Sequence, residues 1–159
     1  MTISLSIIVA MTEDKVIGKN GKIPWEIPDD MALFKKLTLG NTVVMGRKTY
    51  QSLPDRFRPL PNRYNIVVSK TLRPEPGVVV CPTIEEALTK AEARHKPVFI
   101  LGGATLYEAA LRLATALHVS HVKARYAGEI LFPAIDWNDW RMEEEKGFAD
   151  FIYKRYERK

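Results

Sequence analysis

Short apolar runs rich in β-branched residues recur along this sequence, and segments with helical spacing separate them. The runs cover residues 3–11, 42–45, 64–69, 78–81, 98–101 and 117–122. Strands that alternate with helices in this way are typical of parallel sheets whose strands are joined by crossover helices. The alternation therefore predicts an α/β domain.

Two of the intervening segments have clear signals for a helix. Thr83-Ile84-Glu85-Glu86 is a capping box, and apolar residues follow it at helical spacing. Pro28 suits the first turn of a second helix, in which apolar residues recur until Gly40 ends the segment. We therefore expect one helix after residue 83 and another between Pro28 and Gly40.

The C-terminal region departs from this alternation. Residues 140–145 and 148–157 have the composition of strands, and Lys146-Gly147 lies between them. This pattern predicts a terminal antiparallel hairpin on a largely parallel sheet, with its turn at Lys146-Gly147. No linker-like segment interrupts the chain, so we expect a single domain over residues 1–159.

The net charge of +5 favours anionic partners in general. The basic residues are spread through loops, and the sequence has neither an RNP-type aromatic motif nor a zinc finger, so small anionic ligands are favoured over nucleic acid. The apolar run at residues 3–11 is too short for a membrane span, and the single cysteine, Cys81, cannot form an intrachain disulfide. We expect a cytoplasmic protein without a nucleic-acid or membrane partner.

Histidines do not form a metal-binding pattern in this sequence. His118 and His121 are an odd number of positions apart, so they point to opposite faces of a strand, and His95 lies elsewhere at a helix end. We therefore expect no metal site.

Two acids follow Trp25 at the start of the first predicted helix. Helix starts favour acids through the macrodipole, so Asp29 is read as a solvated charge. Asp30 shares a face with Phe34, which predicts partial desolvation and a raised pKa, as suits a group that binds or passes a proton. From these residues alone, a partly buried capping aspartate stays the commoner explanation.

Two strands run through glycine directly into a helix. One is the strand before Leu101-Gly102-Gly103-Ala104, and the other is Val44-Met45-Gly46-Arg47-Lys48-Thr49. Free amides at a helix start bind phosphate, and two such openings in one sheet suit a ligand with phosphates at two places. Taken singly, each segment is also explained by a tight connection or by two solvated surface charges.

Taken together, these segments closely resemble the dihydrofolate reductases of the bacterial chromosomal type over nearly the whole chain. The matching motifs are Val16-Ile17-Gly18, Ile23-Pro24-Trp25, Asp30, Phe34-Lys35, Thr38, Val44 to Thr49, Leu60-Pro61-Asn62-Arg63, Asn65, Leu101 to Ala104, Tyr107 and Phe132-Pro133. The resemblance implies an eight-stranded, mostly parallel sheet flanked by four helices. It also implies hydride transfer from NADPH to 7,8-dihydrofolate.

The resemblance assigns roles on the substrate side. Asp30 would accept hydrogen bonds from the amino group and ring nitrogen of the pterin, with support from Ser120, and Trp25 would hold a water near Asp30. Arg63 would form a fork onto the glutamate carboxylate of the tail. The implied set for dihydrofolate and antifolate-like inhibitors is Ile8, Val9, Asp30, Met31, Phe34, Lys35, Leu53, Leu60, Arg63 and Ser120.

The resemblance also assigns an NADPH site. Ala10, Ile17, Gly18 and Ile23 would enclose the nicotinamide. The adenosine end, with its additional phosphate, would lie among Gly46, Arg47, Lys48, Thr49, Ser69 and Lys70. The remaining segment would hold the pyrophosphate and contains Leu101, Gly102, Gly103, Ala104, Thr105, Leu106 and Tyr107, with a cis bond implied between the two glycines.

Some positions depart from the best-known enterobacterial pattern. The segment of residues 54–58 contains residues that the pattern lacks, and the terminal hairpin connection is much shorter. In addition, Ala104 replaces a third glycine and Glu129 replaces an aspartate. In the family, the lid, which is the segment from Gly18 to Ile23, is braced by the loop around Glu129 and by that hairpin. We therefore expect a less tightly braced lid in this chain.

Two other functions compete with the resemblance. The pyrimidine reductase of riboflavin synthesis shares the fold and NADPH, but not the set of Trp25, Asp30 and Arg63. A basic anion-binding module without catalysis would explain the charge, but it needs no half-buried acid beside a tryptophan. We expect a monomer, by resemblance only.

Overall fold

Residues 4–159, which the computed structural model describes, form ten β-strands and four α-helices. The strands are β1 (Leu5–Thr12), β2 (Val16–Gly18), β3 (Thr42–Gly46), β4 (Tyr64–Val68), β5 (Val78–Cys81), β6 (Val98–Ile100), β7 (Ala116–Val122), β8 (Ile130–Leu131), β9 (Trp140–Gly147) and β10 (Phe151–Arg158). The helices are α1 (Pro28–Thr38), α2 (Arg47–Gln51), α3 (Ile84–Glu92) and α4 (Ala104–Leu111). The first predicted strand corresponds to β1, and its predicted first residue, Ile3, lies outside the described residues.

Eight strands form one sheet in the order β5-β4-β3-β6-β1-β7-β10-β9. The first six are parallel to their neighbours, whereas β10 runs antiparallel to both β7 and β9. The predicted mostly parallel sheet with four helices and a terminal antiparallel hairpin is confirmed. The short strands β2 and β8 pair separately, which the apolar pattern did not predict.

The turn of the terminal hairpin lies later than predicted. Lys146 and Gly147 belong to β9, where they pair with Tyr153 and Ile152, so the prediction of a turn at these residues was wrong. The connection consists of residues 148–150. Phe148 and Phe151 stack with ring centroids 4.4 Å apart, and the Phe148 amide donates to the Phe151 carbonyl at 2.8 Å. This aromatic contact closes the hairpin at a position that composition alone did not mark.

Helix α1 begins at Pro28 and leads into β3 through Gly40. Asp29 and Asp30 in its first turn and Lys35 and Lys36 in its last turn complement the helix dipole. Because β1 and β3 are parallel to the same strand, β6, the connection between them must return, so α1 runs antiparallel to the strands. Its two ends therefore lie near opposite ends of the sheet.

The other helices follow the sequence signals as well. The Thr83 hydroxyl caps α3 by accepting from the Glu86 amide at 3.2 Å, so the predicted helix after residue 83 is confirmed. Helices α2 and α4 begin directly after β3 and after the residues that follow β6. Over residues 4–159, no helix has the length and apolar character to cross a membrane.

Apolar side chains fill both faces of the sheet. Along β3, Val44 belongs to one buried cluster, whereas Val43 and Met45 belong to a second cluster. Successive strand residues point to opposite faces, which explains this division. Ile8 packs against the second cluster, the one that also contacts Phe34 of α1.

Candidate active site

A half-buried carboxylate lies where the first turn of α1 contacts β7. The Ser120 hydroxyl of β7 donates to Asp30 Oδ1 at 2.6 Å. Burial raises the pKa of Asp30 above its ordinary value, and the smaller effect of the Ser120 hydrogen bond opposes this rise. Asp29, on the same turn, is exposed. Asp30 is thus a positioned acid with an increased proton affinity.

A guanidinium lies at the other end of α1. Arg63 Nε donates to the Pro61 carbonyl at 2.9 Å, and its Nη1 donates to the Thr38 hydroxyl at 3.1 Å. Thr38 is the last residue of α1 and donates in turn to the Phe34 carbonyl at 2.8 Å. Burial lowers the pKa of Arg63 below its ordinary value, but a guanidinium remains charged at neutral pH.

Helix α1 sets the separation of these two charges. From Asp30 to Thr38 the helix rises by about 12 Å, because each of the intervening steps adds about 1.5 Å. Phe34 lies between Asp30 and Thr38 on the helix, and the centre of its ring is 5.9 Å from the Arg63 Cζ atom. The arrangement suits an elongated ligand with a hydrogen-bond donor at one end and an anion at the other.

Most of the apolar side chains predicted to enclose a flat ring lie together. Ile8, Phe34 and Leu53 pack against the cluster that contains Leu60. Met31 is 51% exposed and Lys35 is also exposed, so both are available at the surface of α1. Val9 belongs to the cluster on the opposite face of the sheet, so only its backbone is available to a ligand on the Asp30 side.

Trp25 lies near the same region of the sheet. Its ring centroid is 5.3 Å from that of Tyr126, with the planes tilted by 55°. Trp25 and Ala10 both pack against the cluster that contains Ile27 and Tyr153. Tyr126 was not identified from the sequence, because nothing in the composition of its loop indicates a partner for Trp25.

The two strand-to-helix openings meet at the carboxyl ends of β3 and β6. The Gly46 amide donates to the Gly102 carbonyl at 2.8 Å. The Gly102-Gly103 bond is cis, as the resemblance implied. Gly102 has φ of +108°, and a Cβ atom there would lie 2.9 Å from the Tyr107 ring. Glycine is therefore required at position 102 both by the backbone conformation and by the space available.

Tyr107 ties this opening to β1. Its hydroxyl lies 2.8 Å from the Leu101 carbonyl and 2.9 Å from the Ile8 carbonyl. Burial raises the pKa of Tyr107 above its ordinary range, so the hydroxyl stays a donor. Leu106 is buried beside it, whereas Thr105 is exposed at the helix start.

Among residues 4–159, no side chain caps the start of α2 or α4, and neither helix has an acid in its first turn. Their N-caps are Gly46 and Gly103, which leave the first amides of each helix free to bind an anion. The Thr49 hydroxyl would lie 3.7 Å from a Cβ atom at position 103, so the two helix starts are adjacent. Ala104, at the first position of α4, is partly buried.

Exposed cations surround these helix starts. Arg47 and Lys48 occupy the first turn of α2, and Lys70 follows β4. The Ser69 hydroxyl accepts from the Leu72 amide at 2.9 Å and from the Thr71 amide at 3.1 Å, which fixes the turn that carries Lys70. The cations predicted for the adenosine end are thus presented by fixed turns.

The lid contacts the loop that contains Glu129. The Asn20 amide donates to Glu129 Oε1 at 2.7 Å, and a Cβ atom at Gly128 would clash with the Gly18 carbonyl oxygen. Ile17 packs against the core, whereas Ile23 is 63% exposed. Glutamate therefore supplies one of the expected braces.

The turn of the terminal hairpin forms its hydrogen bonds away from the lid. Within residues 4–159, the backbone hydrogen bonds of its turn join Phe148 to Phe151 and Asp150 to Lys123. The Lys123 ammonium also donates to the Phe148 carbonyl at 2.8 Å. The hairpin turn is therefore tied to the end of β7.

The sequence did not identify one polar pair next to the acid. His118 Nδ1 lies 2.7 Å from the Tyr153 hydroxyl, and Tyr153 is the register partner of Ser120. Burial, and secondarily the charge of Arg155, lower the pKa of His118 to about 4. The polar residues at positions 118 and 120 of β7 were the available signal, but the partner of His118 on β10 is set by the sheet register.

Comparison with known proteins gives one consistent family. The family model for dihydrofolate reductase matches residues 4–157. The chain is 34% identical to a dihydrofolate reductase of Bacillus subtilis over 98% of this chain and 95% of that protein, and 41% identical to one of Mycobacterium tuberculosis over 87% and 85%. A solved dihydrofolate reductase of Enterococcus faecalis, complexed with NADP(H) and RAB-propyl, superposes with a TM-score of 0.88 at 33% identity, covering 98% of this chain and 96% of that one.

Proposed function

The chain belongs to the dihydrofolate reductase family, whose activity is the NADPH-dependent reduction of dihydrofolate, and we propose that Asp30 and Arg63 bind the two ends of that substrate. The single observation that carries the proposal is their placement at the two ends of α1, about 12 Å apart along the helix. The family match supports dihydrofolate reduction over the alternative of a pyrimidine reductase of riboflavin synthesis.

Asp30 suits the pterin head because its position and charge state are both controlled. The Ser120 hydroxyl uses Oδ1 as acceptor, and a carboxylate offers further lone pairs for the amino group and ring nitrogen of the pterin. The raised pKa of Asp30 brings its protonation closer to neutral pH than that of an ordinary aspartate. Asp30 therefore both orients the ring and favours its protonation.

Reduction of the pterin requires a hydride at carbon and a proton at the adjacent imine nitrogen. Asp30 holds the far edge of the ring, so its carboxylate is poorly placed to deliver that proton directly. We assign delivery to a water held near Trp25, with Asp30 stabilising the positive charge that develops on the ring. The contact of Trp25 with Tyr126 fixes the indole for this role.

Arg63 suits the glutamate end of the substrate. A guanidinium has five N–H donors, of which the contacts with Pro61 and Thr38 use two. The remaining donors are sufficient for a bidentate bond to one carboxylate. The two internal contacts hold the fork in place before substrate binds.

The other opening of the sheet fits NADPH, which supplies the hydride when bound. The uncapped start of α4 offers amides for the pyrophosphate. The Tyr107 ring packs against the backbone at Gly102, which leaves no space for a side chain there. Arg47 and Lys70 would neutralise the additional phosphate, while Gly18 and Ile23 of the lid would cover the nicotinamide.

Arg63→Lys tests the proposal. We expect the variant to reduce dihydrofolate with substrate binding weakened by about 1–3 kcal/mol, because a lysine cannot form the fork, and with NADPH affinity unchanged. The measurement is the Kd for dihydrofolate and for a pterin that lacks the glutamate. An equal loss of affinity for the truncated pterin would show that Arg63 has another role.

Two further assignments remain predictions. We propose that the protein acts as a monomer, which sedimentation at several protein concentrations will test. A cytoplasmic location also stays a prediction, and fractionation of cells that contain the tagged protein will test it.

A further inference from the structure

Two tyrosine–histidine pairs join β7 to β10, one on each face of the sheet. His118 Nδ1 lies 2.7 Å from the Tyr153 hydroxyl, and His121 Nε2 lies 3.0 Å from the Tyr156 hydroxyl. Because the two histidines, and likewise the two tyrosines, are an odd number of positions apart on their strand, the pairs point to opposite faces. The first pair shares its face with Ser120, the partner of the proposed catalytic acid.

The pair of His118 and Tyr153 is buried and tightly packed. Their rings stack with centroids 6.1 Å apart, and the centroid of the Phe99 ring lies 5.5 Å from that of His118. Burial raises the pKa of Tyr153 to about 12 and lowers the pKa of His118 to about 4, so both side chains are neutral at pH 7. A buried hydroxyl and a buried imidazole are costly unless they are hydrogen-bonded, so their mutual bond fixes the orientation of the Tyr153 ring.

Charged groups of β9 and β10 face this pair. Arg155 is the register partner of His118, so the two side chains lie side by side. The guanidinium of Arg155 is 2.6 Å from a carboxylate oxygen of Glu157 and 3.9 Å from one of Glu144. Protonation of His118 would place two cations next to each other, which is unfavourable. The imidazole therefore stays neutral and remains bonded to the Tyr153 hydroxyl.

Ser120 has one small and one large neighbour across the sheet. Its register partners are Ala10 on β1 and Tyr153 on β10, and the side chains of such partners are adjacent on one face. A serine hydroxyl has three staggered positions, and the Tyr153 side chain restricts them from the β10 side. Its bond to His118 also keeps the tyrosine hydroxyl from competing for Ser120 or for the carboxylate of Asp30. The Ser120 hydroxyl is thus left to donate to Asp30.

We propose that Tyr153, held by His118, is a positioning residue that keeps the Ser120 hydroxyl directed at Asp30 and thereby tightens the binding of dihydrofolate. This inference rests on the proposed role of Asp30 in binding the pterin. The Ser120 bond lowers the pKa of Asp30, so its weakening leaves more of the carboxyl group protonated. A protonated acid is a poorer acceptor for the amino group and ring nitrogen of the pterin.

Tyr153→Phe removes the hydroxyl and keeps the ring. We expect the Kd for dihydrofolate to rise about two- to tenfold, the range for loss of one hydrogen bond, while kcat and the Kd for NADPH stay at the parent values. Carbon NMR of the protein without substrate should show the Asp30 carboxyl group titrating at higher pH than in the parent. In a Ser120→Ala background, Tyr153→Phe should change neither the Kd nor this titration, because its effect passes through the serine hydroxyl.

Tyr156→Phe is the matched control, because it removes a histidine-bonded hydroxyl from the same strand on the opposite face. It should keep the parent Kd for dihydrofolate, and an equal rise in this control would overturn the proposal by showing a general loosening of β10. A parent-like Kd in Tyr153→Phe would also overturn it, as would a rise that persists in the Ser120→Ala background.

Two substitutions of His118 test the other half of the pair and serve if Tyr153→Phe does not fold. His118→Leu keeps the tyrosine hydroxyl but removes its partner, so the Kd for dihydrofolate should rise as in Tyr153→Phe. His118→Asn places an amide oxygen near the position of Nδ1 and should return the Kd towards the parent value. Equal Kd values for His118→Leu and His118→Asn would show that the hydrogen bond has no positioning role.

Asp30→Asn separates this inference from the proposed function. If Asp30→Asn impairs the reduction of dihydrofolate while Tyr153→Phe binds it like the parent, the proposed function stands and only the role of Tyr153 is lost. If Asp30→Asn binds and reduces dihydrofolate like the parent, the proposed role of Asp30 is wrong, and the inference fails with it.

Discussion

The proposed substrate side and the proposed cofactor side of this protein treat their charged groups differently. On the substrate side, Asp30 and Arg63 each have hydrogen-bond partners within the chain. On the cofactor side, no side chain in the described part of the chain caps the start of α2 or α4, and the cations beside them are exposed. A ring with fixed polar edges is best bound by side chains that are already held in position. A flexible diphosphate can instead be bound by free amide and cationic donors.

The four helix starts show the same division. Helix α1 has two acids in its first turn, and α3 has two acids together with the Thr83 cap. Helices α2 and α4 have neither, although such a start costs stability when no anion is bound. The difference indicates that α2 and α4 are adapted to a ligand.

Asp30→Asn should have the largest effect and bears on the substrate side alone. We expect kcat at neutral pH to fall by about 10²–10⁴, because the charge that favours ring protonation is lost, while NADPH binding is kept. The hydride-transfer rate of the variant should rise steadily as pH falls, since acid protonates the substrate in solution. Stopped-flow measurement of NADPH oxidation across pH tests both points, and a parent-like profile would remove Asp30 from the catalytic site.

The same substitution should increase stability. Burial raises the folded-state pKa of Asp30, so its contribution to stability is present below about pH 4 and is lost as pH rises through the folded-state value. Asparagine avoids the cost of the buried charge and still accepts from Ser120. Asp30→Asn should thus unfold at higher urea than the parent at pH 7, with the difference disappearing in acid.

Gly102→Ala tests the rigid part of the cofactor side. The positive φ and the close Tyr107 ring predict a loss of about 1–3 kcal/mol in the free energy of unfolding. Gly103→Ala is the control, because φ is −81° there and a Cβ atom would have only an ordinary contact at 3.7 Å. Urea titration of both variants should separate them, and equal stability would mean that this turn is less constrained than the geometry indicates.

Arg47→Ala together with Lys70→Ala tests the free cations of the cofactor side and should have the smallest effect. Both side chains are exposed, so we expect the KM for NADPH to rise about tenfold, with the KM for NADH nearly unchanged. Steady-state assays with both cofactors give the comparison. Equal increases for the two would show that these cations do not distinguish the additional phosphate.

Much of the fold was predictable because local signals agree with it. The Thr83 capping box, Pro28 at the first turn of α1 and the β-branched runs each specify an element without help from distant residues. The hairpin turn was misplaced because the stacking of Phe148 on Phe151 is a tertiary contact. Propensity around Lys146-Gly147 could not reveal it.

The candidate site was also predictable only where a local sequence signal exists. Asp30 was found from its position on a helix face, but its partner Ser120 lies 90 residues away and was assigned only through the family resemblance. Thr38 as the partner of Arg63, and Tyr153 as the partner of His118, depend on the path of a loop and on the register of β10. Such contacts have no periodic signal in the sequence.

The position of β10 between β7 and β9 has a consequence for the order in which the protein matures during synthesis. The strands and helices of the cofactor side, from β3 to α4, precede Arg112 in the chain. Strand β7, which carries Ser120, keeps an open edge until the residues of β10 leave the ribosome. A nascent chain can thus form its dinucleotide opening early, but the support of Asp30 is completed only when its last strand is paired.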